Sequence, residues 1–214
     1  MLTVRELANR LNRNGGLLLD TIPLESVTIY LELRDLYPNT AISDDEDFRT
    51  RFTKHFGVSG VGVNAEFLDR FFEIMNDHKD RDGEVDFYLA ARAVYGTMEK
   101  RKLSPSQFGY LTAMATVINN DNPTYSPVIG TFLRFDPPTQ ATRDSRERLN
   151  IYLEFYREYR QTLLDLSENK TLKSLLTVFK IKLKQHGDIT LSPLKRVDLL
   201  IMYAAELAKE GKLI

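Results

Sequence analysis

The stretch Leu149-Asn150-Ile151-Tyr152-Leu153-Glu154-Phe155-Tyr156-Arg157-Glu158-Tyr159-Arg160-Gln161-Thr162-Leu163-Leu164-Asp165-Leu166 decides the fold class. Within it Leu149, Tyr152, Tyr156, Tyr159, Leu163 and Leu166 recur at alternating steps of three and four. At 100° per residue that spacing draws a single seam down a helix, whereas a strand would alternate at every second residue. The seam runs for about two and a half heptads, too short for a coiled coil, so it predicts packing inside a helical bundle.

Working outward, helix punctuation dominates. Downstream, two further helices are predicted over about 169–185 and 193–210, the last opened by Ser192-Pro193 and closed by Gly211. Upstream, Ser104-Pro105-Ser106-Gln107 combines a cap, a first-turn proline and a glutamine three residues after the cap. Thr3 with Glu6 forms a capping box for a first helix, which Asn14-Gly15-Gly16 is expected to close. Pro23 suits the first turn of a second helix that ends before Tyr37-Pro38-Asn39. Ser43-Asp44-Asp45-Glu46 reads as a capping box for a third, closed by Gly57, and Asn64 caps a fourth. A fifth is expected from about Asp86 to Lys100. Alternation of period two is confined to Val61–Val63, Glu84–Phe87 and Ile189–Leu191. The expectation is therefore an all-α, multi-helix bundle of about eight to ten helices, with at most very short strands.

Residues 121–142 hold Pro123, Pro127, Pro137 and Pro138. They suggest an acidic helical part over 1–122, a proline-marked connector over 123–142, and a basic three-helix part over 143–214, with packing as one domain left open. The charge asymmetry is explicit. Residues 1–100 carry 18 acids and 12 bases, a net of −6; residues 101–214 carry 12 acids and 17 bases, a net of +5. Opposite charges on two halves favour contact between them, between copies, or with an acidic partner.

Composition narrows the chemistry. The 214 residues contain no cysteine, which removes disulfides, thiol nucleophiles and cysteine-ligated metals and suits a reducing compartment. No apolar run approaches the roughly 20 residues of a membrane helix, and Arg5 and Glu6 stand where a secretion signal needs apolar residues. A cytoplasmic protein with no membrane partner is expected. Only three histidines occur, His55, His78 and His186, and none sits in an HExxH or comparable arrangement. The glycine-rich run Gly57–Asn64 lacks the Gly-Lys-Ser/Thr ending of a phosphate loop. The question of catalysis is left open, leaning towards none, and no catalytic residue or cofactor is assigned.

Two constellations remain. The first is Phe71-Phe72-Glu73-Ile74-Met75-Asn76-Asp77-His78-Lys79-Asp80-Arg81-Asp82-Gly83-Glu84-Val85-Asp86-Phe87. An aromatic helix, an acidic loop, a glycine, and an apolar residue two places later resemble an EF-hand over about 30 residues. That resemblance implies Asp80, Asp82, Glu84 and Asp86 as metal ligands, with calcium as the ion, since alternating carboxylates converge on a hard cation. The loop departs from the pattern at both ends, with His78 where the first acid belongs and Leu89 where the bidentate glutamate belongs. The second is a wheel position shared by Arg143, Arg146, Arg157 and Arg160, roughly 120° from the tyrosine seam. With Lys170, Lys173, Lys180, Lys182 and Lys184 it forms a face that could meet nucleic-acid phosphates, although Glu147, Glu154 and Glu158 flank it.

The function expected from these readings is a non-catalytic helical protein-interaction or scaffold protein, bound to a protein partner or self-associating as a homo-oligomer. The alternatives are a calcium-responsive module built on the degenerate EF-hand-like loop, and a nucleic-acid-binding protein using the C-terminal basic face.

Overall fold

The computed structural model describes residues 1–60, 63–79, 81, 83–95, 103–139, 141–142, 144–187 and 189–213. Among them it is all-α. The helices are α1 (Val4–Arg13), α2 (Gly15–Thr21), α3 (Leu24–Leu36), α4 (Glu46–Phe56), α5 (Ala65–Asp77), α6 (Phe87–Tyr95), α7 (Pro105–Ile118), α8 (Pro127–Phe132), α9 (Ser145–Ser167), α10 (Lys173–Gln185) and α11 (Pro193–Lys209). Short 3-10 turns at Tyr37–Asn39 and Lys170–Leu172 precede changes of direction. No strand occurs among the described residues, and neither 84–87 nor 189–191 forms one; Val61 lies outside them.

The boundaries follow from side chains that satisfy the first free N–H groups of each helix. Thr3 and Glu6 bond each other's backbone reciprocally at the start of α1, and Ser104 and Gln107 do the same for α7. Asn64 and Ser192 cap α5 and α11. Gly57 closes α4 in the left-handed conformation, at φ 62°. Two boundaries differ from the sequence reading. The cap of α4 is Asp45, whose Oδ1 accepts from the Phe48 N–H at 2.8 Å, because Asp44 and Asp45 are held in a turn on the Ala41 carbonyl. Gly15-Gly16 opens α2 rather than merely ending α1. A Cβ on Gly15 would lie 2.9 Å from the Leu175 side chain, so this glycine admits a close helix approach. With α2 the described residues form eleven α-helices, against the eight to ten expected.

The chain forms two compact units, residues 1–24 with 123–214, and residues 25–122. In the first, α11 is the central element, packing against α1, α2, α8, α9 and α10. Its Val197, Leu200, Ile201, Ala204 and Ala205 are buried, and they meet the α9 seam, in which all six predicted positions from Leu149 to Leu166 are buried. The Leu2 N–H donates to the Leu133 carbonyl at 3.1 Å, tying the N-terminal residues to the segment after α8.

In the second unit α7 is apolar nearly all round, with nine of its residues buried, as expected of a helix surrounded by others. Phe48 and Phe52 of α4 interlock with Phe71 and Phe72 of α5 at ring separations of 5.5–6.3 Å. Such offset and edge contacts add to the area these rings remove from water. Tyrosine hydroxyls tie further elements together, Tyr37 donating to the Met75 carbonyl of α5 and Tyr30 of α3 to the Thr116 carbonyl of α7. No helix among the described residues is long and apolar enough to cross a membrane.

Candidate functional sites

The acidic turn between α5 and α6 is organised by a histidine. His78 is fully buried at the end of α5. Its Nδ1 lies 2.7 Å from the Ile74 carbonyl, and its Nε2 accepts the Asp86 N–H at 3.3 Å. A carbonyl can only accept, so the neutral ring carries its proton on Nδ1 and both nitrogens are occupied. His78 thus has no lone pair free for a metal and instead clamps the two ends of the turn together. Gly83, at φ 77°, supplies the left-handed residue the reversal requires.

Of the four predicted metal ligands, Asp80 and Asp82 lie outside the described residues. Glu84 and Asp86 are exposed. Asp86 Oδ1 accepts from the Leu89 N–H at 2.9 Å, capping α6, and its Oδ2 is 4.0 Å from Arg81. No group of three histidine or carboxylate side chains that could hold a metal occurs among the described residues. Replacing His78 with phenylalanine keeps the volume but strands the Asp86 N–H. We expect a cost of about 1–3 kcal/mol, read as a lower urea midpoint at unchanged slope; an unshifted midpoint would rule out the clamp.

Of the predicted nucleic-acid residues, Arg143 lies outside the described residues, while Arg146, Arg157 and Arg160 are exposed on α9. The same solvent side of the helix presents Glu147, Glu154, Glu158 and Asp165, and Gln161 bonds Asp165 at 2.8 Å. The outward face of α9 is therefore of mixed sign.

The densest polar cluster is one that sequence reading missed. Lys195 and Asp198 of α11 are each 2% exposed in their side chains and pair at 2.8 Å. The Asp198 carboxylate also accepts from the Tyr159 hydroxyl at 3.0 Å and from the Thr124 N–H at 3.1 Å. Lys195 Nζ donates to Thr124 Oγ1, and Tyr156 donates to the Pro123 carbonyl at 2.7 Å. Burial, then the Asp198 charge, push the Tyr156 and Tyr159 phenols well above their ordinary value. These bonds fasten residues 123–124 to α9 and α11, and α9 to α11, which makes the cluster a structural lock. The one signal in the sequence was a lysine and an aspartate three apart on an otherwise apolar stripe.

The last feature is the outer face of α10. Leu175, Leu176, Phe179 and Leu183 are buried. Ile181 points roughly 175° away from their mean direction. It is 51% exposed and Val178 is 48% exposed, the two highest values among the exposed large apolar side chains. Beside them Lys173, Lys180 and Lys184, all exposed, fall within roughly 40° of one another on the wheel. None of these three lysines makes an ion pair among the described residues, whereas Lys182 bonds the Leu19 carbonyl of α2. From Asn169 to Gly187 there are five lysines and no acid.

A search of protein-family models, of curated proteins and of solved structures finds no match to this chain.

Proposed function

We propose that this protein is a non-catalytic interaction module whose docking surface is the outer face of α10. The observation that carries the reading is the pair Val178 and Ile181, exposed at mid-helix on the same solvent side as three lysines that make no ion pair among the described residues. A helix has one apolar stripe when it only packs on its own core; α10 carries a second one pointing outward. Isolated exposed aliphatics are ordinary, but two β-branched residues one turn apart on the same solvent side as a lysine column make a surface with both affinity and register. Catalysis has no comparable support, since the buried Lys195–Asp198 cluster is consumed by hydrogen bonds within the fold.

The test is the double variant Val178→Glu/Ile181→Glu. Both side chains face solvent, so thermal unfolding should move by no more than about 0.5 kcal/mol equivalent. In native extract the wild-type chain should migrate in a species larger than its 24.7 kDa, and the variant should lose that species. Equal migration of the two as monomers, in extract and at high purified concentration, would refute the reading.

A further inference from the structure

The exposed large apolar side chains fall into a telling arrangement. Seven stand out among the described residues: Met1, Leu17, Leu36, Tyr88, Leu89, Val178 and Ile181. Four of them form two close pairs. Val178 and Ile181 sit on the solvent side of α10, with the lysine column roughly 80° from Ile181 and roughly 140° from Val178, while Tyr88 and Leu89 sit on the first turn of α6, directly after the acidic turn. The segment from Asp77 to Asp86 holds five acids against two bases. One of those bases, Lys79, is turned onto the Thr40 carbonyl, and the other, Arg81, faces Asp86. Asp77 and Glu84 are exposed, and neither makes an ion pair among the described residues. One patch is apolar with a basic border; the other is apolar with an acidic border.

Resting on the interaction reading above, we infer that the partner of the α10 face is a second copy of this chain, which presents its Glu84–Leu89 edge. Val178 and Ile181 of one protomer lie against Tyr88 and Leu89 of the other, and Lys173, Lys180 and Lys184 meet Asp77 and Glu84. Each patch is small for a lasting interface. A contact of that size gives a weak association that shows at high protein concentration. Exposed ion pairs of this kind contribute little each but fix register and make association fall with salt. Phosphate backbones and lipid surfaces suit α10 less well. Two aliphatics would face a charged backbone in the first case, and in the second the apolar strip is bounded by Ser174 and Gln185 and has no aromatic to insert.

The experiment is a charge-swap mixture followed by sedimentation equilibrium. Lys173→Glu/Lys180→Glu/Lys184→Glu makes α10 acidic, and Asp77→Lys/Glu84→Lys makes the other edge basic. All five positions are exposed, and circular dichroism checks that both variants keep their helicity. Wild type should show a mass that rises with concentration and falls with salt. Each variant alone should associate about ten-fold more weakly. Mixed in equal amounts the two should recover wild-type affinity, because every acidic patch then meets a basic one. A wild type that stays monomeric at millimolar concentration overturns the inference, as does association that both variants leave intact or that mixing does not restore. If the large species in extract still requires Ile181 in any of those cases, the partner is a different chain and the interaction reading stands. If it does not, both fall.

Discussion

Asp198→Ala is expected to be the most damaging single substitution in the unit formed by residues 1–24 and 123–214. Removing that carboxylate leaves the Lys195 ammonium buried at 2% exposure with no counter-charge. It also strands the Thr124 N–H and the Tyr159 hydroxyl. Breaking a buried ion pair from one side costs about 3–5 kcal/mol, mostly because of the charge left behind. For a chain of this length that corresponds to a fall in melting temperature of roughly 6–20 °C. There is no tryptophan among the 214 residues, so tyrosine fluorescence follows the transition without interference.

The decisive comparison is the double variant Lys195→Met/Asp198→Leu. It removes both charges and keeps apolar volume, so it should recover part of the loss; the Thr124 N–H and the Tyr159 hydroxyl still forfeit a partner. If the double variant is as unstable as Asp198→Ala, the cost lies in those hydrogen bonds and not in the stranded ammonium.

This lock also shows where sequence reading reaches its limit. Helix starts were legible because a cap and its N–H targets lie within four residues: Thr3 with Glu6, Ser104 with Gln107 and Asn64 with Phe67 all hold in the structure. The α9 seam was legible for the same reason, since periodicity is local. Asn14-Gly15-Gly16 does close α1, but the close approach at Gly15 was not legible because it is set by Leu175, 160 positions away, and no neighbour of a glycine announces a distant side chain. Nothing local in residues 1–24 signals that they belong with 123–214 either. Their membership rests on contacts such as Leu2 with Leu133 and Arg10 over the Phe132 ring. Lys195 and Asp198 could be noticed on the helical wheel, but their partners Thr124 and Tyr159 come from other elements. The same wheel would have exposed the outer face of α10, once Leu175, Leu176, Phe179 and Leu183 are taken as its inner stripe.

Alkali should unfold the protein through tyrosines, and the direction follows from which state holds the proton. Burial raises the phenols of Tyr95, Tyr156 and Tyr159 well above the ordinary value near 10, raises Tyr125 as well, and takes Tyr152 to about 12. Below pH 10 these groups are protonated in folded and unfolded chains alike, so their contribution to stability is fully present. Above it the unfolded chain releases protons that the folded chain retains. The unfolded state then binds fewer protons, and stability must fall as pH rises towards the folded-state values. Each unit of upward shift withdraws about 1.4 kcal/mol once the pH has passed the raised value. Five of the ten tyrosines share this direction, so their effects add, all against the folded state. Tyrosinate absorbance should therefore rise in two stages, an early one from exposed phenols and a late, steep one coincident with loss of helical circular dichroism. Tyr159→Phe and Tyr156→Phe should start from a lower stability, each having lost a buried hydrogen bond, but lose less of it as pH rises, because each removes a proton that unfolding would release. A single smooth titration of all ten phenols near pH 10, with the helices intact, would show that these rings are accessible to hydroxide, contrary to the packing of α9 against α11.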